Sequence, residues 1–98
     1  MLKSSKKRII SIYEWVNDVK IYDYDGRKNI SGERIRQLRC KRHWSQDVLA
    51  KHLQLAGVVI GRDSVNRIEK GTRFVADYEI RAFSQIFDVP VQQLLDDE

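Results

Sequence analysis

From residue 30 to the end of the chain, apolar residues recur at helical spacing and are interrupted by residues that start or stop helices, so the chain is confined to a set of short amphipathic rods packed on one another. A first helix over residues 30–42 carries Ile35 and Leu38 three apart, with Arg34, Arg36, Arg39, Lys41 and Arg42 around them, and Asn29 or Ser31 is placed to cap it. Trp44 then falls in a short link. Ser45 is a good N-cap for a second helix, and Asp47 sits in its first turn, where the helix dipole favours negative charge. Leu49, Ala50 and Leu53 form the inner stripe of this helix, and Gly57 is its natural left-handed stop. A third helix opens at Gly61, turns Val65 and Ile68 inward and ends at Gly71. Its remaining residues, Arg62, Asp63, Ser64, Asn66, Arg67 and Lys70, form an outward face of hydrogen-bonding groups. A fourth helix over residues 77–87 has Asp77 and Glu79 in its first turn and Ile80, Phe83 and Phe87 on one side. Pro90 suits the first turn of a short fifth helix with Leu94 and Leu95 inward. The expected class is all-α with five helices.

The 98 residues make one domain with room for a short appendage: an extension over 1–29 and a helical domain over 30–98. The longest apolar run, residues 55–60, is far short of the ~20 residues of a membrane span. The basic start (Lys3, Lys6, Lys7, Arg8) is followed by an apolar stretch broken by Ser11 and Glu14, too short and polar for an export signal. Cys40 is the single cysteine, so no internal disulfide forms and nothing argues for secretion; the expected location is cytoplasmic. The net charge of +4 is unevenly spread: residues 30–75 carry ten positive and four negative side chains, and residues 76–98 carry one positive and six negative. A basic middle beside an acidic end suits a one-sided polyanion surface, although a solvated mixed-charge surface would have the same composition.

The ordered set ERIRQLR (33–39), WSQDVLA (44–50), SVNRIEKG (64–71), DYEIRAFSQIFDV (77–89) and VQQLL (91–95) resembles the phage-repressor/Cro-type helix-turn-helix family, also called the xenobiotic-response-element type. The likeness covers about two thirds of the chain and implies a five-helix repressor-like fold that binds double-stranded DNA. Two departures stand out. The family's turn between the second and third helices is tight, with a glycine four residues after the small alanine; here Gln54 occupies that place, and the link is about five residues longer. Leu55-Ala56 is read as an added half-turn of the second helix and Val58-Val59 as a looser connection. Ala76 stands where a Ser or Thr cap is expected.

Each matched residue has a physical rationale within such a fold. The two central helices cross steeply, and Ala50 supplies the small contact. Gln46 at the start of the second helix is placed to bond a backbone phosphate. Arg62, Asp63, Ser64, Asn66 and Arg67 would meet base edges or phosphates: Arg suits guanine, Asn suits adenine, and Asp63 suits a cytosine amino group. Lys70, Arg73 and Arg34 complete the expected DNA-contacting set.

Residues 1–29 lie outside the resemblance. Ile9, Ile12, Tyr13 and Val16 would share a helical face; Val19, Ile21 and Tyr24 read as a short strand, and Asp25-Gly26 as a turn. Three readings stay open for this segment: a basic arm on phosphates, packing on its own domain, or pairing with a second copy.

Sharper chemistry has little to stand on. Cys40 and His43 are three apart, but one cysteine and two histidines do not fill a closed zinc site, and Cys40 is read as a small buried hydrophobe. His52 is read as a surface residue, Trp44 as core, residues 96–98 as a solvated end, and Glu69 as bonding backbone or an arginine. No convergent acid, base and nucleophile set is present, so no enzyme, cofactor, metal or small-molecule ligand is expected. Two functions stand: a DNA-binding transcriptional regulator, expected to repress and to act as a homodimer, or an antitoxin-like interaction module in which DNA contact is secondary. The Arg/Asn/Ser face of the third helix favours the first, because a partner-binding face should carry exposed aromatics or leucines.

Overall fold

The computed structural model describes residues 24–96. Five helices follow in chain order: α1 (Gly32–Lys41), α2 (Gln46–Leu55), α3 (Arg62–Lys70), α4 (Asp77–Phe87) and α5 (Val91–Leu95). Among the described residues the one extended pairing is an isolated antiparallel bridge, Tyr24 with Arg27. The segments read as a helical face over residues 9–16 and a strand over 19–24 lie outside the described residues, except for Tyr24.

The first four helices stop in the same way. His43, Gly57, Gly71 and Asp88 each take positive φ, at 60°, 91°, 82° and 56°. In each case the next residue's N–H reaches back five positions: Trp44 to Arg39 O (3.2 Å), Val58 to Leu53 O (2.8 Å), Thr72 to Arg67 O (2.9 Å) and Val89 to Ser84 O (3.1 Å). This is the left-handed helix stop with the six-to-one bond, and it satisfies carbonyls that a helix end leaves open. It also turns a side chain back onto the helix just completed. Val58 is buried, and Trp44 and Val89 pack against the core.

Helix starts are more varied. Ser45 caps α2 by accepting from the Val48 N–H at 3.1 Å. Ser31 precedes α1 without a side-chain bond; Asn29 Oδ1 accepts from the Gly32 N–H at 2.8 Å instead. Ala76 has no polar side chain to offer α4, but the Glu79 carboxylate accepts from the Ala76 N–H at 2.9 Å, which supplies half of a capping box.

Ile35, Leu49, Leu53, Val65, Ile68, Phe83 and Leu94 are fully buried and bring all five helices to one core. α3 packs against both α1 and α2, and α5 lies on α4. Phe83 and Phe87 stack at 6.4 Å between centroids, and Trp44 adds to Phe87 at 5.8 Å. Arg42 closes this corner: its guanidinium lies over the Trp44 and Phe87 rings and donates to Phe87 O at 2.8 Å, one of the open carbonyls of α4. Ala50 is half-buried against the core, in keeping with the small contact expected there.

Three sequence expectations are corrected. Cys40 is exposed, not buried, because it lies five residues beyond Ile35, well off the inward stripe of α1. His52 is half-buried and stacks on Trp44 at 4.2 Å, since the α1–α2 link folds the indole back over α2. Trp44 itself is half-buried and packs against the core, in keeping with its expected core role. Leu95 is 40% exposed while its neighbour Leu94 is fully buried, because a five-residue helix lying on one partner covers a single side. The lengthened α2–α3 connection is anchored by buried Val58, and it leaves Leu55 and Val59 at the surface, 86% and 79% exposed.

Candidate nucleic-acid interface

α3 divides into two faces by the helical period. Val65 and Ile68 are fully buried and Glu69 is 5% exposed, while Arg62, Asp63, Arg67 and Lys70 are exposed and Ser64 and Asn66 half-buried. Residues 62, 63, 66, 67 and 70 therefore form one outward strip, as i, i+1, i+4, i+5 and i+8 must. Gly61 starts the helix without a side-chain cap bond, and Asp63 sits in the first turn, where the dipole favours it.

A polar network fixes that strip to its neighbours. Arg39 of α1 makes a two-pronged ion pair with Glu69, Nε to Oε2 at 2.6 Å and Nη2 to Oε1 at 3.0 Å, and its third arm donates to Trp44 O at 2.7 Å. The bond to Glu69, despite the opposing cost of burial, holds the Arg39 guanidinium still more firmly protonated. Gln46 at the start of α2 donates from Nε2 to Glu69 Oε1 at 3.0 Å and to Asn66 Oδ1 at 3.2 Å. The amide orientations follow from the chemistry: a carboxylate only accepts, so Gln46 must turn its NH2 toward Glu69, and the second N–H then needs the Asn66 oxygen. Among the described residues nothing accepts from Asn66 Nδ2, and Oδ1 keeps a second lone pair. Asn66 thus offers the acceptor and donor pair that an adenine edge requires.

Beside this network lies an open polar groove of about 340 Å3. It is lined by Arg27, Arg36, Arg39 and Lys70 against the two carboxylates of Glu33 and Glu69, a positive balance beside the strip. Among the described residues no group of three or more His, Cys, Asp or Glu side chains is gathered as for a metal, and no helix is long and apolar enough to cross a membrane.

The nine expected contact residues do not all meet. Gln46 and five of the six on α3 are brought together, while Ser64 is half-buried off the outward strip. Arg34 is tied instead to α5, donating to Gln93 O at 2.8 Å. Arg73 pairs with Glu79 through both terminal nitrogens, at 3.0 and 3.1 Å, and also donates to Phe74 O. Burial pushes the Glu79 carboxyl up, but the Arg73 guanidinium and the Ala76 N–H outweigh it and hold the carboxyl below the usual glutamate range.

Sequence reasoning missed the role of residues just before the first helix. Tyr24 and Arg27 exchange backbone bonds at 2.7 and 2.9 Å across Asp25-Gly26, both at positive φ, the geometry of a tight hairpin turn. The side chains beyond the turn then dock on the C-terminal end of α3. Arg27 Nη2 donates to Glu69 O at 3.0 Å, and Asn29 Nδ2 donates to Ile68 O at 3.0 Å and to Arg73 O at 2.8 Å. The Asp25-Gly26 pair signalled the turn, but nothing local signalled where it leads.

A helix-turn-helix domain model matches residues 32–96. No curated protein and no solved structure gives a significant match to the chain. With five helices, a buried α3 stripe and a family match over most of its length, the chain belongs to the helix-turn-helix domain family, in keeping with its phage-repressor/Cro-type motifs.

Proposed function

We propose that the protein is a sequence-specific, double-stranded DNA-binding transcriptional regulator that reads the major groove with α3. The observation that carries this reading is the outward strip of α3, held by buried Val65 and Ile68 on one side and by the Arg39–Glu69–Gln46 network on the other. A helix fixed on two sides presents Arg62, Asp63, Asn66 and Arg67 with little freedom, and each good two-pronged base contact is worth about 1–3 kcal/mol of discrimination. Gln46 spends both amide hydrogens on Glu69 and Asn66 and so steadies the strip instead of bonding a phosphate as expected, while Lys70 and Arg36 supply charge for phosphates. Arg34 and Arg73 serve the frame first and enter only as phosphate neighbours. The protein acts in the cytoplasm as a repressor, a homodimer on two half-sites about one helical turn apart, by occupying its operator.

Selection of bound sequences from random duplex DNA is the direct test. Recovery of one half-site motif, with binding weakened by Asn66→Ala and Arg67→Ala, supports the reading. Absence of binding at low salt, or indifference to both substitutions, overturns it.

One observation favours the interaction-module reading: Leu55 and Val59, 86% and 79% exposed, flank Gly57 on the lengthened turn. If Leu55→Glu and Val59→Glu leave DNA binding intact but abolish assembly in sedimentation experiments, the turn is a protein-binding surface.

A further inference from the structure

We propose that residues 24–29, upstream of the family-matched region, are a positioning element for α3, with Arg27 and Asn29 as its working residues; the proposal rests on α3 being the reading helix. α3 has nine residues and no side-chain cap at its N-terminus, so the aim of that end depends on how the rest of the helix is held. Its other end is held unusually well. Asn29 bridges three backbone groups at once, donating to Ile68 O and Arg73 O and accepting from the Gly32 N–H, so one side chain joins the start of α1 to the end of α3. Arg27 takes Glu69 O, and the Lys28 N–H takes Gly71 O at 2.7 Å.

Two glycines make room for this arrangement. A Cβ on Gly32 would stand 2.0 Å from Ile68 O, 2.8 Å from Arg27 Nη2 and 2.9 Å from Asn29 Oδ1. One on Gly71 would meet Arg27 Cζ at 2.5 Å and Nε at 2.6 Å, so the Arg27 side chain lies directly against the left-handed stop of α3. Three backbone segments and two side chains thus meet without space for a single added carbon. The leverage follows from length: α3 spans about 13 Å, so a tilt of about 5° at the held end displaces the far end by about 1 Å. Base contacts tolerate about half that. Arg27 and Asn29 therefore set where Arg62 and Asp63 fall without touching the DNA themselves.

The test compares wild type with Arg27→Lys and Asn29→Ala, neither of which changes net charge. Arg27→Lys keeps one donor but loses the flat group lying on Gly71, and it is the gentler variant should Asn29→Ala not fold. Ser84→Ala is the control, losing a bond to Val89 O at 2.6 Å on α4. Affinities for the selected duplex and for a scrambled duplex are measured where every variant is fully folded by circular dichroism. Amide exchange of residues 67–72 is measured in the unbound protein. The expected result is a fall of about tenfold in the selected-to-scrambled ratio for Asn29→Ala, the scale of one lost base contact. Arg27→Lys is expected to fall part of the way, the scrambled duplex to bind as before, and exchange to quicken at the end of α3. Ratios within about twofold of wild type, or an equal fall in Ser84→Ala, overturn the proposal. If wild type itself shows no preference, the reading of α3 fails, and the exchange measurement alone decides whether the clamp holds the helix.

Discussion

Glu69→Ala removes the one carboxylate on which three elements converge. The Glu69 side chain is 3% exposed and that of its partner Arg39 is 13%, so the substitution strands a guanidinium that water reaches only in part. Arg39 would keep Trp44 O, and Gln46 would keep Asn66 Oδ1. Removing one member of a buried pair costs about 3–5 kcal/mol, and because some water access and one hydrogen bond remain, the lower end, about 3 kcal/mol, is expected. A domain of this size holds on the order of 5–10 kcal/mol in all, so the melting temperature should fall by more than about 10 °C. Urea unfolding followed by circular dichroism measures the loss directly, with the slope unchanged if both states stay equally compact. The double substitution Arg39→Met/Glu69→Leu removes both charges together and should recover most of the stability, since an apolar pair of similar volume often replaces a buried ion pair without cost. A loss below about 1 kcal/mol for Glu69→Ala, with no recovery in the double variant, would show that the pair behaves as a solvent-screened surface bridge and does not fix α3.

Three further outcomes are expected. Gly32→Ala should destabilise by about 3 kcal/mol or more, because its Cβ would fall 2.0 Å from Ile68 O; an unfolding midpoint near wild type contradicts this. His43→Gly should stabilise by about 0.5–1 kcal/mol, relieving a left-handed non-glycine residue at φ 60° at some cost in unfolded-chain entropy, and an unchanged or lower urea midpoint counts against it. Glu79 has a folded-state pKa below its unfolded value, so its carboxylate stabilises the fold above about pH 4 and loses that effect as pH falls through the folded value; the stability gap between wild type and Glu79→Gln should therefore close in acid, and a constant gap from neutral to acid pH refutes the assignment.

Much of the fold was legible because its signals are local. Ser45 capped α2, Gly57 and Gly71 took the left-handed stops, and residues 77–87 formed α4 as their apolar spacing required. His43 and Asp88 make the same stops; both residue types are enriched at positive φ, but unlike glycine neither is a common helix stop, so the backbone is what shows that four helices end alike. Cys40 and Leu95 were misread because each was judged by its neighbours: Cys40 lies off the Ile35 line, and Leu95 beside Leu94 has no second surface to bury against. The outward residues of α3 were readable from the period of Val65 and Ile68. What holds them was readable only in part. Glu69 was expected to bond backbone or an arginine, but Arg39 lies 30 residues away and no spacing rule selects it over Arg34 or Arg36. Asn29 reaches carbonyls 39 and 44 residues distant, which leaves no periodic trace at all.

The most direct measurement is a nuclear magnetic resonance titration of the isotopically labelled chain with its selected duplex. Resonance shifts concentrated on residues 62–70 and Gln46, with the Asn66 side-chain amide among the most perturbed, are expected if α3 enters the groove. Shifts centred on Leu55 and Val59, with the amides of α3 unmoved at saturation, would contradict it.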